Sequence, residues 1–213
     1  MKTISIVAIL LFAFAAWFLA NGGFHSWQYQ QTVDGIEYKR IRFEKSRTEA
    51  GVTYSIGHLA EQVEVDDLIY KGWLHRREDG SVSGGLTAED ATVNGIKVPT
   101  DTWVSFDRDG QLASCRFPAN QTIQKHKCRG TGGGIMGAVV VFYPSGSLKE
   151  FFAPNNVVVQ DIPCKGDLFN SIQLHENQRL KQCTLSAPTT VNHRDLAKGG
   201  RINLDDDGHL LAK

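Results

Sequence analysis

A short turn recurs five times in this chain, and the residues around it decide what the chain can become. Glu78-Asp79-Gly80, Arg108-Asp109-Gly110, Pro144-Ser145-Gly146, Glu176-Asn177-Gln178 and Asp206-Asp207-Gly208 follow one another at intervals of 30, 36, 32 and 30 residues. Five similar turns alone would mean little, but the flanking columns agree. Six residues before the last turn position stand Leu74, Val104, Val140, Ile172 and Ile202; four before it stand Arg76, Phe106, Phe142, Leu174 and Leu204. Two after it stand Val82, Leu112, Leu148, Leu180 and Leu210, and thirteen after it the β-branched Val93, Ile123, Val159 and Val191. Apolar residues in steps of two on both sides of a Gly turn mark a β-hairpin with one buried face, because successive strand side chains point to opposite sides. Arg76 is the one polar residue in these columns. Gln178 replaces the turn Gly, so that turn either avoids a positive φ or carries strain.

The expectation is an all-β chain: tandem β-hairpin repeats of about 30 residues, stacked into an elongated twisted sheet or β-roll. One hairpin cannot bury its apolar face alone, so each unit needs its neighbour, and the terminal units act as caps. Asp205-Asp206-Asp207 suits a charged edge that resists strand addition. The thirteen-after column points to a further short strand in each unit. Twenty-one Gly in 213 residues fit a turn-rich β chain, and no stretch after residue 22 carries a long helical period. Residues 36–44 and 52–59 read as two strands around Arg47-Thr48-Glu49-Ala50-Gly51. A degenerate unit is expected from Gly57-His58-Leu59 to Lys71-Gly72. Three regions follow: a leader over residues 1–22, a β-hairpin cap over 23–56 and the repeat array over 57–213.

Met1-Lys2-Thr3 precedes a predominantly apolar run over residues 4–20, the pattern of a Sec-type signal peptide or a signal anchor. Ala20 and Gly22 form a small-x-small site that would permit cleavage before Gly23, and the run itself is expected to be a hydrophobic leader helix. Either form places the remainder outside the cytoplasm, periplasmic or secreted, with a membrane link only through an uncleaved residue 4–20 anchor. Trp27 and Tyr29 could then sit at the membrane interface. Trp73 and Trp103, just before hairpins, are expected in core or sheet-face packing.

Two stretches carry a family resemblance: Val141-Phe142-Tyr143-Pro144-Ser145-Gly146-Ser147-Leu148-Lys149-Glu150, and Lys71-Gly72-Trp73-Leu74 leading into Asp79-Gly80. They resemble the YwqK/MORN-type β-hairpin repeats, whose units carry a Tyr-Tyr-x-x-Gly-x-Leu-Lys-Glu core. The similarity extends over residues 57–213 in weakened form, with a period longer than that family's own. The resemblance implies an elongated twisted sheet used for binding or scaffolding, and it carries over no catalytic residue. Some members of that group are antitoxins, a role at odds with an export leader.

Four cysteines fall on repeat columns. Cys115 and Cys183 stand five residues after their turns, where the middle unit has Phe151; Cys128 and Cys164 stand eighteen after, where other units have Val98 and Leu196. They read either as small buried apolar positions or, in an oxidising compartment, as disulfide partners. Cys115–Cys128 with Cys164–Cys183 keeps both bridges short. The two pairs cannot share one geometry, however, since the first lies within a unit and the second spans two. Cys164–Cys183 is the favoured bridge, worth about 3 kcal/mol if unstrained.

Other motifs reduce to turn chemistry. Gly132-Gly133-Gly134-Ile135-Met136-Gly137 matches G-x-G-x-x-G but is followed by a strand pattern, so it reads as a surface loop. Asn203-x-Asp205-x-Asp207-Gly208 and Ser105-x-Asp107-x-Asp109-Gly110 imitate the start of a calcium loop without its twelfth-position Glu. The seven His lack paired ligand spacing, and Asn120-Gln121-Thr122 is a formal glycosylation sequon.

Twenty-three basic residues balance 23 acidic ones, which removes the electrostatic case for nucleic acid. No convergent acid, base, nucleophile or metal set is visible, and no cofactor is expected. The reading is a non-catalytic, exported cell-envelope module that binds a protein or envelope component or serves structurally. The competing reading is an exported hydrolase with Asp107 and Asp109 as first suspects; a third is an immunity-type protein.

Overall fold

The computed structural model describes residues 27–45, 53–131 and 138–211. The expected leader helix, the Arg47–Gly51 loop and the Gly132–Gly137 loop lie outside the described residues. Those described are all-β, with no helix among them, so none long and apolar enough to cross a membrane.

Twelve strands form one continuous antiparallel path: β1 (Gln28–Val33), β2 (Ile36–Lys45), β3 (Thr53–Leu59), β5 (Leu68–Arg77), β6 (Val82–Thr87), β9 (Trp103–Phe106), β10 (Leu112–Arg116), β13 (Val140–Phe142), β14 (Leu148–Phe151), β17 (Ile172–Leu174), β18 (Leu180–Thr184) and β21 (Arg201–Asn203). β4 (Val63–Val65) pairs with the first half of β5. Four two-stranded ribbons, β7–β8, β11–β12, β15–β16 and β19–β20, interrupt the path at regular intervals. Their strands are Ala91–Val93 with Ile96–Val98, Gln121–Ile123 with His126–Cys128, Val157–Val159 with Ile162–Cys164, and Thr189–Val191 with Arg194–Leu196.

The turn columns account for this. At each of the five turns, the residue three before the last turn position exchanges two backbone bonds across it, as in Asp107 N to Gln111 O (2.9 Å) and Gly110 N to Asp107 O (3.3 Å). Gly80, Gly110, Gly146, Gln178 and Gly208 all take a positive φ, between 66° and 90°. Gln178 therefore adopts the conformation that Gly adopts elsewhere. Its amide donates to Leu148 O (3.0 Å), a contact no Gly could make, which offsets the backbone cost.

The apolar columns face one core. The six-before residues are all fully buried or nearly so, and the thirteen-after residues Val93, Ile123, Val159 and Val191 are buried on the ribbons. Sheet and ribbon residues join in a single cluster, so the ribbons cover the sheet's inner face. Arg76, the polar exception, reaches past the core to bond Gly80 O (2.9 Å) and the Asp34 carboxylate (3.0 Å) on the β1–β2 turn. Across the inner face, Gly57 and Gly85 occupy row positions that later units fill with Cys115, Phe151 and Cys183. A Cβ at Gly57 would fall 2.2 Å from the Tyr38 ring, and one at Gly85 2.5 Å from the Tyr70 ring. Two tyrosines thus supply the volume that side chains on the row supply further along.

Gly57-His58-Leu59, where a degenerate unit is expected to begin, lies inside β3, within the strand expected over residues 52–59, and the turn between β4 and β5 is Asp66-Asp67, both at positive φ. β3 pairs with β5 as well as with β2, so the first strands share one ladder with those that follow.

The ribbons have a second interlock. Each turns through two residues at positive φ: Asn94-Gly95, Gln124-Lys125, Gln160-Asp161 and Asn192-His193. The first of each pair accepts a bond from the N–H of the Leu opening the second strand of the next hairpin: Leu112, Leu148, Leu180 or Leu210, at 2.8–2.9 Å. Gln124 and Gln160 also donate to the turn carbonyls of Gly146 (2.8 Å) and Gln178 (3.0 Å). A side-chain amide carries both a donor and an acceptor, so one group staples ribbon to hairpin.

Candidate binding face

The solvent side of the sheet follows from the buried side by parity. If residues six before the turn point inward, those five and seven before must point outward. The five-before residues His75, Ser105, Val141, Gln173 and Asn203 lie on one unbroken cross-strand row. It runs Arg42–Ile56–His75–Gly84–Ser105–Ser114–Val141–Glu150–Gln173–Gln182–Asn203. The seven-before residues are Trp73, Trp103, Val139, Ser171 and Arg201.

The row changes character along its length. Toward its C-terminal end it is a ladder of Glu150, Gln173, Gln182 and Asn203, with Gln173 donating to Glu150 (3.3 Å). At its N-terminal end it carries aromatic rings and guanidinium groups. Arg40 lies 5.0 Å from the ring centroids of both Trp27 and Trp73, and Arg42 lies 4.6 Å from Trp27. Trp27 and Trp73 are 5.8 Å apart; His58 stands edge-on to Trp73 at 5.1 Å, and His75 to Trp103 at 4.8 Å. Every one of these residues is half-buried. Glu44 pairs with Arg42 at 2.6 Å, while Arg40 lies between ring faces with no carboxylate partner among the described residues. Each cation–π contact contributes about 0.5–1 kcal/mol at such partly exposed sites.

Gly84 permits this packing. A Cβ there would approach Val104 O to 2.8 Å and the Trp103 ring to 3.5 Å. Trp103 also donates from its indole N–H to Ser105 Oγ (3.1 Å), which fixes the ring. Burial lowers the His75 pKa to about 4, so the imidazole is neutral near pH 7 and the face's positive charge comes from arginine.

The sequence-selected residues fall elsewhere. Cys164 and Cys183 meet in the core, their sulfur atoms 2.6 Å apart. Among the described residues no disulfide or hydrogen bond joins Cys115 to Cys128, and both are buried. Burial pushes the Cys128 thiol up to about 12 and raises that of Cys115, so neither supplies a thiolate near neutrality. Asp107 accepts from the N–H groups of Asp109 (3.0 Å) and Gln111 (2.8 Å), and Asp205 does the same for Asp207 (3.0 Å) and His209 (2.8 Å). One carboxylate oxygen of each, Oδ1, is committed to turn closure. Asn120 accepts from Gly130 N (3.0 Å), a tie repeated by Asp90 to Thr100 N and Asn156 to Gly166 N, so the sequon residue is part of the frame.

Sequence reasoning located the tryptophans but not their assembly. Parity from the buried columns would have put Trp73 and Trp103 outside, whereas Arg40 and Trp27 reach Trp73 through the β2–β3–β5 pairing. No protein-family model matches this chain, and a search of curated proteins found no match to it.

Proposed function

We propose that the chain is a non-catalytic exported module of the cell envelope that binds a protein partner through the aromatic and cationic end of its sheet face. The observation that carries the reading is the Trp27–Arg40–Trp73 stack: two large rings and a guanidinium held on the solvent side of the sheet. Trp and Arg dominate the few residues that supply most of the energy at protein interfaces, and these groups are already packed on one another, which reduces the side-chain entropy lost on docking. The charge on Arg40 calls for a partner surface with an acidic group amid apolar ones. The resemblance to MORN-type repeats suits a binding or scaffolding role. An N-terminal export leader and a Cys164–Cys183 disulfide complete the proposal and agree with each other, since such bridges persist in oxidising compartments.

The test uses the full chain as bait in envelope extract, as wild type, as an Arg40→Ala/Trp73→Ala variant and as a Gln173→Ala/Gln182→Ala variant, with bound proteins identified by mass spectrometry. The expected result is one partner retained by the wild type and the amide variant and lost by the aromatic variant. Retention by the aromatic variant with loss from the amide variant would overturn the reading. Intact mass under non-reducing conditions reports the leader and the bridge in the same preparation.

A further inference from the structure

A cavity of about 360 Å³ opens on the opposite side of the first unit, away from the aromatic face. It lies between the Asp66-Asp67 turn, the β5–β6 turn and the tip of the β7–β8 ribbon, and its lining includes Tyr70, Arg77, Thr92 and Arg108. That volume is near the lower end of small-ligand pockets, roughly 300–1,000 Å³.

Two of its buried polar groups lack partners. Tyr70 is fully buried, yet its hydroxyl has no hydrogen-bond partner. Arg77 is 8% exposed and uses its terminal nitrogens on Val82 O (3.0 Å), Phe106 O (2.8 Å), Asp107 O (2.9 Å) and Ser81 Oγ (3.3 Å), while its Nε is buried and unpartnered. Among the described residues no carboxylate touches this buried guanidinium. A buried cation and an idle buried hydroxyl are both costly, and an anionic group brought to them would satisfy both. At the mouth both signs are present: Asp66 and Asp67 are exposed at the turn, and the exposed Arg108 lines the same opening. A carboxylate is attracted by the arginines, and a positive group trailing it would meet Asp66 and Asp67.

We propose that this cavity binds a small zwitterion of the amino-acid class. Its carboxylate accepts hydrogen bonds from the Tyr70 hydroxyl and Arg77 Nε–H, and its ammonium group is held at the mouth by Asp66 and Asp67. Thr92 offers a further hydroxyl beside the same opening.

Calorimetric titration of the full chain with the twenty proteinogenic L-amino acids, with acetate and methylammonium as half-ligands, tests this directly. The expected result is saturable binding of at least one amino acid, about tenfold or more tighter than either half-ligand. Tyr70→Phe, which removes only an unpartnered hydroxyl, should weaken it about tenfold while the protein stays folded. Asp66→Asn/Asp67→Asn, a surface change, should bring the amino acid down to the affinity of acetate. No saturation by any amino acid up to about 10 mM would overturn the proposal, as would affinity untouched by both variants. Acetate binding as tightly as the best amino acid in the wild type would overturn the zwitterion assignment.

Discussion

The first hairpin unit and the four that follow it share a backbone plan and differ in how they hold it. In the later units the ribbon tip offers an amide, Asn94, Gln124, Gln160 or Asn192, and that amide pins the next hairpin. In the first unit the tip residue is Asp66, and no such bond joins it to Val82. The carbonyl that an amide there would seek, Gly80 O, already accepts from Arg76. Arg77 then does the fastening from the other side, spanning to Phe106 O and Asp107 O of the next hairpin. The same column position makes a related link further on, where Tyr143 donates to Leu174 O (2.9 Å) and His175 Nε2 lies 2.9 Å from Leu204 O. Later units therefore have a ribbon-tip amide that pins the next hairpin, while the first is fastened by two arginines and carries the Tyr70 cavity and the Trp-Arg face. Regularity serves the frame; the departures from it gather where binding is proposed.

The largest break in this comparison should come from Arg77→Met. It removes the donor for three backbone carbonyls, Val82 O, Phe106 O and Asp107 O, of which Asp107 O keeps only its 3.3 Å bond from Gly110 N, a loss on the order of 3–5 kcal/mol. Tyr143→Phe, at the equivalent column position, removes one neutral bond and should cost about 1 kcal/mol. Urea midpoints of the two variants at constant slope give the ratio. Equal losses would show that Arg77 is only another rung and that the first unit is not held differently.

A second contrast lies on the outer row, where the first unit has His75 and the later ones Ser105, Val141, Gln173 and Asn203. Burial lowers the folded-state pKa of His75 to about 4, against roughly 6.5 in the unfolded chain. Between those values the unfolded chain binds the proton more readily, so stability rises with pH. The His75 contribution is therefore whole above about pH 6.5 and is lost progressively down to about pH 4, reaching on the order of 2–3 kcal/mol. Burial shifts His126 in the same direction and adds to the slope. His75→Gln, which imitates the later units, should flatten the dependence of the urea midpoint between pH 6.5 and 4. An unchanged slope would locate the acid sensitivity elsewhere.

The division between regular and irregular parts also explains what could be read from the sequence. The hairpins were legible because Gly at a positive-φ turn and apolar residues in steps of two are local signals, and they place Leu74, Val104, Val140, Ile172 and Ile202 in the core without reference to anything distant. The ribbons were half legible. Val93, Ile123, Val159 and Val191 marked their first strands, but of the four tips only Asn94-Gly95 uses a recognised hairpin dipeptide. Gln124-Lys125, Gln160-Asp161 and Asn192-His193 hold positive φ without Gly, and Gln124, Gln160 and Asn192 have the bonds their side chains make to the next hairpin. That compensation is tertiary and leaves no local mark. For the same reason Cys164 and Cys183 could be paired by column arithmetic, whereas the Arg40 stack and the Tyr70 cavity join strands whose pairing the repeat pattern does not cover.

The smallest effects separate the two causes that could make the first unit different: the charge on Asp66, or the prior engagement of Gly80 O by Arg76. Gln124→Leu sets the scale. It removes the bonds to Leu148 N and Gly146 O, both 2.8 Å, and should lower stability by about 1–2 kcal/mol. If charge alone prevented the staple, Asp66→Asn would create one and gain a similar amount. With Gly80 O already taken, the new amide finds only half of its bonding set, and Asp66→Asn should change stability by less than about 0.5 kcal/mol. The double variant Asp66→Asn/Arg76→Leu frees that carbonyl, so in it the Asn should be worth more than in the wild-type background by about 1 kcal/mol, a coupling that a double-mutant cycle reads directly. Additive changes would mean that Arg76 plays no part in keeping the first ribbon unpinned, and that Asp66 alone sets the first unit apart.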